Sequence, residues 1–204
     1  MSTWAQSKYT DRLELAIAIV RETGAHTMRL FQSDKLSIER KGDSTPVTNA
    51  DRGAEELMRQ RLEAECPGDA IVGEEFEDKP GTSGYAWYLD PIDGTQSFIR
   101  GVPLFGTMAG LEHDGNPVAG IIFMPALGEI IYAAEGSGAW WATGLSSNST
   151  LEPRRALVSK VRHLEEATVS ATSTQYSNSS VVEQVALKAG LARGWGDCYG
   201  HYLV

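Results

Sequence analysis

Two short apolar runs in this sequence each end at an acidic residue. Residues 70–73 (Ala-Ile-Val-Gly) lead into Glu74, and residues 86–89 (Ala-Trp-Tyr-Leu) lead into Asp90. Short apolar runs bounded in this way are typical of buried β-strands. If the two strands are neighbours, their carboxyl ends bring Glu74, Asp90 and Asp93 into one small volume, at the edge where open α/β sheets bind ligands.

Helical and strand patterns surround these runs. Apolar residues recur at helical spacing over residues 13–31 and 54–62, with Asn49 as the expected N-cap of the second helix. Further strands are expected at residues 104–111, 117–124, 129–134 and 168–171, and a further helix at residues 181–189. The first three of these strands are separated by turn signals, so they predict an antiparallel meander within a layered α/β fold.

The best candidate for a domain boundary is the Ser- and Asn-rich stretch at residues 145–150. We therefore expect residues 1–145 to form an α+β region that carries the acidic cluster, and residues 146–204 to form an incomplete C-terminal α/β region. Residues 201–204 are rich in apolar side chains and follow a helix-start pattern at Gly196. A natural terminus is usually polar, so the sequence suggests a chain cut inside an element.

Composition narrows the expected partners. The net charge of −9 repels nucleic acid and anionic membranes, and it admits an anionic substrate only where bound cations reverse the local charge. Cys66 and Cys198 are far apart and form no CxxC pair, which predicts no zinc site. Residues 1–6 lack the features of a signal peptide, so we expect a cytoplasmic protein with no nucleic-acid or membrane partner.

The acidic cluster has the chemistry of a divalent-cation site. Three carboxylates packed together repel one another without added positive charge, and an all-oxygen ligand set selects Mg²⁺, Mn²⁺ or Ca²⁺ over zinc. Pro91 and Gly94 shape a turn in which the Ile92 carbonyl is expected to lack a ladder partner and to be free as a ligand. Thr95 adds a hydroxyl and a backbone N–H at an expected helix start, where phosphate binds well. A single Asp-Gly or Glu-Glu pair is usually only a turn or a solvated surface, so the prediction depends on the complete string.

Three segments resemble motifs of the inositol monophosphatase superfamily in order and spacing. They are residues 45–51 (Thr-Pro-Val-Thr-Asn-Ala-Asp), 73–75 (Gly-Glu-Glu) and 90–98 (Asp-Pro-Ile-Asp-Gly-Thr-Gln-Ser-Phe). The resemblance extends from near the N-terminus to the end of the chain, and the Asp-Pro-Ile-Asp-Gly-Thr string is highly specific. It implies an αβαβα sandwich, a homodimer, and Mg²⁺-dependent hydrolysis of a small phosphate monoester.

The resemblance also implies the metal ligands. Glu74, Asp90 and the Ile92 carbonyl would hold one ion, and Asp90 and Asp93 would hold a second. The family uses two or three Mg²⁺ ions in each site, and Mn²⁺ is an expected substitute. The hydrolysis would proceed by in-line attack of a metal-activated water, without a covalent enzyme intermediate.

Further roles are implied for residues around the same turn. Asp51 and Thr95 would orient the attacking water, which makes them, together with Glu74, the expected catalytic residues. Lys41 matches a basic position of the family, in a loop of slightly different length. The substrate-binding residues implied in this part of the chain are Glu74, Ile92, Asp93, Gly94 and Thr95, of which the last two would hold phosphate through their N–H groups.

A later stretch is similar to one branch of that superfamily. Residues 193–201 (Arg-Gly-Trp-Gly-Asp-Cys-Tyr-Gly-His) resemble a stretch of the histidinol-phosphate phosphatases in which Arg193 and Asp197 would contact the substrate. The implied reaction is hydrolysis of L-histidinol phosphate in histidine biosynthesis. The alternative is a phosphatase for inositol 1-phosphate or for a broad range of sugar phosphates. The same residues could also be structural, with Trp195 in the core and Asp197 capping a helix.

One motif implied by the resemblance does not occur. It is a Trp-Asp pair followed by small residues, whose Asp would complete the second metal site, and the sequence reaches Val204 without it. Two interpretations follow, a fragment of an ordinary enzyme or a shortened non-catalytic relative that binds a phosphate ligand. Retention of Glu74, Asp90, Asp93 and Thr95 argues against the second. We expect the chain by itself to be weakly active or inactive.

Overall fold

The chain folds into a mixture of helices and strands. The computed structural model describes residues 7–42, 45–144, 152–172 and 180–204. In chain order the elements are α1 (Thr10–Met28), β1 (Ile38–Arg40), β2 (Pro46–Thr48), α2 (Asn49–Glu65), β3 (Ala70–Gly73), β4 (Tyr85–Asp93), α3 (Thr95–Phe98), β5 (Gly106–His113), β6 (Asn116–Met124), β7 (Glu129–Ala134), β8 (Gly138–Ala142), β9 (Arg154–Arg155), a 3-10 helix (Leu164–Glu166), β10 (Thr168–Ser170), α4 (Ser180–Lys188), β11 (Leu191–Arg193) and α5 (Asp197–Tyr202). Within the described residues, no helix is long and apolar enough to cross a lipid bilayer.

Two units are distinguished by their internal contacts, Met1–Ala156 and Leu157–Val204. The boundary expected between residues 145 and 146 lies outside the described residues.

The first unit is built on a seven-stranded sheet with the order β3-β4-β5-β6-β7-β8-β9. β3 and β4 are parallel, and each later pair of neighbours is antiparallel. The predicted meander is confirmed as β5, β6 and β7, although β5 begins at Gly106 and continues to His113. Asp114 and Gly115 connect β5 to β6 with φ of 49° and 79°, a left-handed turn that matches the twist of hairpin strands.

Helix α1 packs against strands β4, β5 and β6 of the sheet, and α2 packs against β4. Leu13, Ile17 and Val20 of α1 are buried in the same core as Trp87 and Tyr132 of the sheet. Full burial of one such side chain contributes about 1.5–3 kcal/mol. Because these positions recur every three or four residues, they form one apolar face of α1 that is buried in this core.

The start of α2 differs from the prediction. Thr48, rather than Asn49, is the N-cap, since its Oγ1 accepts the N–H groups of Ala50 (3.1 Å) and Asp51 (3.4 Å). The Asp51 carboxylate accepts the Thr48 N–H in return (2.8 Å), which completes a capping box. Asn49 is the first helical residue, and its side chain accepts the N–H of Ser37 (3.0 Å). The capping box fixes Asp51 in the first turn of α2.

A second, smaller core lies beneath the turn that follows β4. Ile92, Phe98 and Phe105 are buried there. The rings of Phe98 and Phe105 meet edge-on at 4.8 Å, and Phe31 packs against them at 5.5 and 5.0 Å. Aromatic pairs of this kind add about 0.5–1.5 kcal/mol each to the burial of their area. The cluster therefore anchors the turn between β4 and α3.

The second unit contains α4, α5 and a two-stranded parallel sheet of β10 and β11. The strand and the helix predicted here are confirmed as β10 and α4, each within one residue of the expected bounds. Trp195 is 36% exposed, so the alternative that placed it in the core is wrong. Asp197 is not the cap of α5 either, because Gly196 occupies the N-cap position.

Candidate active site

The carboxyl ends of β3 and β4 form the acidic edge. The two strands are parallel neighbours with Gly73 opposite Leu89, so the condition set by the sequence is met, and Glu74 and Asp90 follow at the same level. β4 continues to Asp93, but its ladder with β5 is irregular between Asp90 and Asp93. Irregularities of this kind interrupt pairing and redirect side chains, often at functional sites.

Asp90 is the acid with the largest change of pKa at this edge. Burial raises the pKa, and the neighbouring carboxylates of Asp93, Glu74 and Asp51 raise it further, to about 8. The N–H of Ile92 donates to Asp90 Oδ1 (3.2 Å) and opposes the shift without cancelling it. A buried carboxyl group among other acids is stabilised by positive charge, so this edge favours a proton or a cation at Asp90.

Lys41 brings positive charge to the outer side of the same edge. Its Nζ lies 2.7 Å from Glu74 Oε1 and 2.8 Å from Glu75 Oε1. Burial alone would lower the pKa of Lys41, but the two carboxylate partners outweigh it and raise the pKa. The side chain of Glu74 is 49% exposed and that of Glu75 only 4% exposed, and burial raises the Glu75 pKa in spite of the lysine.

The donors at this edge fit a hard divalent cation, since carboxylate and carbonyl oxygens are the ligands that Mg²⁺ and Mn²⁺ prefer. However, among the residues described, no group of three or more His, Cys, Asp or Glu side chains is arranged to hold a metal ion. The Glu74 carboxylate is paired with Lys41 instead. The joint ligation of a metal by Glu74, Asp90 and Asp93 therefore stays a prediction.

Thr95 lies between Ile92 and Asp51. Its Oγ1 is 3.1 Å from the Ile92 carbonyl oxygen and 3.5 Å from Asp51 Oδ1. A hydroxyl has one proton, and the shorter distance favours donation to Ile92. The sequence predicted that the Ile92 carbonyl would be free of partners, and this is wrong because Thr95 donates to it. One of its two lone pairs remains for a cation.

The Asp51 side chain lies next to this hydroxyl. Asp51 is 2% exposed, and burial raises its pKa although Thr48 donates to it.

Gly94 makes the turn from β4 into α3. Its φ of 90° and ψ of 37° lie in the left-handed region, which residues with a Cβ adopt only at a cost. The chain then enters the four-residue helix α3 at Thr95. The first N–H groups of a helix have no acceptor within it, so Gly94 and Thr95 can present theirs to an anion.

Comparison with known proteins identifies the family. The pattern of the "Inositol monophosphatase family" matches residues 8–197. The chain belongs to the inositol monophosphatase family. Two solved structures share its fold: the extragenic suppressor protein suhB of Bartonella henselae (TM-score 0.79, 27% identity, 90% of this chain and 69% of that one) and the inositol monophosphatase of Thermotoga maritima (TM-score 0.78, 29% identity, 92% and 69%). The layered α/β fold implied by the sequence resemblance is therefore confirmed.

Three relatives within this inositol monophosphatase family carry the name histidinol-phosphatase. The protein of Chlorobaculum parvum is 43% identical over 199 residues, which cover 96% of this chain and 73% of the relative. The Streptomyces coelicolor protein is 39% identical over 209 residues, with 96% and 74% covered. The Mycobacterium tuberculosis protein is 40% identical over 163 residues, with 80% and 61% covered. The chain thus spans only part of the length of each.

In this member of the inositol monophosphatase family, sequence reasoning missed Glu55. It lies one helical turn after Asp51 in α2 and is fully buried. Its Oε2 accepts the backbone N–H groups of Glu74 (2.9 Å) and Glu75 (2.7 Å), and its Oε1 accepts Arg59 Nε (2.7 Å). The available signal was a Glu and an Arg four residues apart among the apolar positions of α2.

Arg193 and Asp197, which the resemblance assigns to the substrate, lie in the second unit. Arg193 is the exposed last residue of β11, and its guanidinium donates to the carbonyl of Ala192 (2.9 Å). Asp197 begins α5 with a φ of 54°, and its N–H donates to Thr172 Oγ1 (3.0 Å). A left-handed conformation at a residue other than glycine costs about 1–3 kcal/mol. The substrate contacts of both residues stay a prediction.

Proposed function

We propose that this chain carries the active site of a histidinol-phosphatase, which hydrolyses L-histidinol phosphate to L-histidinol and inorganic phosphate. The observation that carries the proposal is 43% identity, over 96% of the chain, to a relative of that name. Two further relatives of the same name, at 40% and 39% identity, support it. An acidic edge suits phosphomonoester hydrolysis once cations reverse its charge.

The proposed cofactor is Mg²⁺, in two or three ions, with Mn²⁺ as a substitute. Glu74, Asp90, Asp93 and the Ile92 carbonyl are the proposed ligands. Bound there, the ions would lower the pKa of a water and offset the charge of the phosphate oxygens. The raised pKa of Asp90 supports this assignment, because a carboxyl group that holds a proton near neutral pH can exchange the proton for a cation.

Asp51 and Thr95 are proposed to orient the attacking water and take its proton. A water that donates to Thr95 Oγ1 would turn the hydroxyl proton toward Asp51 Oδ1, which is 3.5 Å away. Burial raises the pKa of Asp51, so its carboxylate is a better proton acceptor than a solvated one. Glu74, the third residue predicted to be catalytic, contributes as a ligand at the same edge.

The substrate is proposed to bind by its two ends. Gly94 and Thr95 would donate their N–H groups to phosphate, beside the proposed ligands Ile92 and Asp93. Arg193 and Asp197 are proposed to contact the rest of the substrate, and Asp197 would pair with the amine or the imidazole through a charge-assisted hydrogen bond. A homodimeric state and a cytoplasmic location are part of the proposal and follow from the sequence and the resemblance alone.

Phosphate release from L-histidinol phosphate and from inositol 1-phosphate, with and without Mg²⁺, tests this function. We expect kcat/KM to favour L-histidinol phosphate by more than about tenfold and to collapse after removal of Mg²⁺. A preference for the inositol ester would reject the proposal and favour the second candidate, to which 35% identity with the inositol-1-monophosphatase of Rhizobium meliloti over 130 residues points. Because the chain by itself is expected to be weakly active or inactive, the same assay is run on a version extended by the Trp-Asp motif that completes the second metal site. Release from neither ester by that version as well, at saturating Mg²⁺, would favour the non-catalytic alternative.

A further inference from the structure

Helix α2 presents three polar side chains one turn apart on its buried side. Asp51 reaches Thr95, and Glu55 accepts the N–H groups of Glu74 and Glu75. Arg59 follows one turn later and donates to Glu55 Oε1 (2.7 Å). Residues four apart lie on the same helix face. One face of α2 therefore contacts both the segment that follows β3 and the segment that follows β4.

The environment of Glu55 is unusual for a carboxylate. The residue is 0% exposed, and a buried charge is unfavourable unless it is paired and hydrogen-bonded. Both carboxylate oxygens of Glu55 have partners: Oε1 pairs with Arg59, and Oε2 accepts the backbone N–H groups of Glu74 and Glu75. Arg59 also donates to the carbonyl of Phe76 (3.2 Å). Glu55 and Arg59 together therefore hydrogen-bond to the backbone of three successive residues after β3, 74–76.

Gly73 is required for this close approach. A Cβ at residue 73 would overlap the Glu55 carboxylate and would lie 2.7 Å from a terminal nitrogen of Arg59. The last residue of β3 is therefore kept without a side chain where α2 comes nearest. The strand end and the Glu55–Arg59 pair fit each other as one local unit.

We propose that Glu55 is a positioning residue, which fixes the backbone of Glu74 and Glu75 so that the Glu74 carboxylate can share a divalent cation with Asp90. The proposal deepens the function proposed above and rests on it. A nonpolar side chain at residue 55 would fill the same space but would leave both N–H groups of the acidic segment without an acceptor. The Glu55 carboxylate therefore does more than fill space, because its hydrogen bonds hold the backbone of Glu74, a proposed metal ligand.

The substitution Glu55→Gln tests this assignment with almost no change in volume. One amide oxygen can still accept the two N–H groups, but the amide nitrogen then faces the donors of Arg59. We expect hydrogen exchange of the Glu74 and Glu75 amides, measured by NMR in EDTA, to accelerate about 10–100-fold. Substitution of residues that support metal ligands typically weakens metal binding by about 10–100-fold. We therefore expect the Kd for Mg²⁺, measured by calorimetry, to rise by about tenfold.

Two controls separate positioning from general stability. Glu56→Gln changes the neighbouring acid on the exposed side of α2 and should leave both readouts unchanged. Asp69→Asn breaks a different ion pair, between buried Asp69 and half-buried Arg12, and should lower the unfolding temperature without altering the Mg²⁺ Kd beyond about twofold. Gly73→Ala is the second test of the proposal, since its Cβ displaces the Glu55 carboxylate and should reproduce both effects of Glu55→Gln.

The outcomes distinguish this inference from the proposed function. If the unchanged chain binds no Mg²⁺, the proposed function fails, and the amide exchange rates still decide whether Glu55 holds the segment. If the chain binds Mg²⁺ and Glu55→Gln leaves both the exchange rates and the Kd unchanged, the positioning role is rejected. A Kd that rises equally in Asp69→Asn would also reject it, because loss of stability alone would then explain the effect.

Discussion

The two ends of the parallel pair β3–β4 place carboxyl groups in opposite environments. Asp69, just before β3, is 1% exposed and accepts hydrogen bonds from Arg12 (3.1 Å), Ser83 (2.7 Å) and Trp87 Nε1 (3.0 Å). Burial by itself would raise the pKa of Asp69, but these donors outweigh it and lower the pKa. Asp90, at the other end, has acids as neighbours, and its pKa rises to about 8.

This difference separates the end of the sheet that is stabilised by its own donors from the end that carries the proposed metal site. At Asp69 every charge is matched by donors of the chain itself, so the carboxylate stabilises the fold. At the other end Lys41 pairs with Glu74 and Glu75, but the acids around Asp90 still raise its pKa, and this unfavourable environment lowers the stability of the protein without a bound cation. Sites that must bind a cation tightly are expected to carry such a cost, so without a cation the Asp90 end should destabilise the fold and the Asp69 end should stabilise it.

The largest effect is expected for Asp90→Asn. Loss of this charge should lower kcat/KM by about 10³-fold or more, because Asp90 is the proposed ligand shared by two ions. The same change should raise the free energy of unfolding in EDTA by about 1–2 kcal/mol, since folding then no longer has to protonate Asp90 or hold its charge among other acids. Phosphate release and urea unfolding measure the two quantities. A variant that is both inactive and less stable in EDTA would contradict the contrast between the two ends.

Asp69→Asn should have the opposite profile. Breaking the partly buried pair with Arg12 should lower the free energy of unfolding by about 1–3 kcal/mol, because Arg12, Ser83 and Trp87 then no longer donate to a carboxylate. With saturating Mg²⁺ and at a temperature well below unfolding, kcat should stay within about twofold of the original value. Thermal unfolding and steady-state kinetics are the measurements. A large loss of kcat in a fully folded Asp69→Asn protein would show that the two ends are coupled.

The two ends should also differ in the sign of their pH dependence. The lowered pKa of Asp69 contributes stability above the unfolded pKa of about 3.9, and this contribution is lost as the pH falls. For Asp90 the folded state holds an extra proton between about pH 4 and its pKa of about 8, so stability declines as the pH rises through that window. Urea unfolding in EDTA from pH 3 to 9 should show that Asp69→Asn flattens the acid side and Asp90→Asn flattens the decline toward pH 8. Identical profiles for the two variants would refute this assignment.

The smallest effect is expected for Lys41→Met. Lys41 and a cation compete for Glu74 Oε1, so its removal should lower the Mg²⁺ concentration for half-saturation by about two- to fivefold. Stability in EDTA should fall by about 1 kcal/mol, because Glu75 is nearly buried beside the lysine. Calorimetry and urea unfolding measure these changes. Lys8→Met is the matched control, since Lys8 and Glu135 form an exposed pair at 4.0 Å. Weaker Mg²⁺ binding by Lys41→Met would contradict the claim that Lys41 and the cation compete for Glu74.

The acidic edge was predictable because its signals are local. The apolar run of β3 ends beside Glu74, and the run in β4 ends beside Asp90, so strand type and charge could be read from adjacent residues. The meander was predictable for the same reason, through turn residues such as Asp114 and Gly115. The parallel pairing of β3 and β4 was only conditional in the sequence, since register depends on contacts between distant residues.

Other features depend on tertiary contacts that local patterns do not contain. Thr48 and Asn49 are both good caps, and the reciprocal bond from Asp51 decided between them. The buried carboxylate of Glu55 resembles any helical Glu in sequence, because the N–H groups it accepts belong to a segment 19 and 20 residues away. The Ile92 carbonyl lacked a predicted partner because Thr95 reaches it through its side chain rather than through a strand ladder.

Helix α2 is 17 residues long, and both of its contacts with the acidic edge come from its first two turns. Since hydrogen-bonded turns of a helix move as one body, a thermal displacement of α2 carries the Asp51 and Glu55 contacts along in unison. Both contacts are therefore expected to shift together when α2 moves, which would hold the proposed water-orienting group and the proposed cation ligand at a nearly fixed separation.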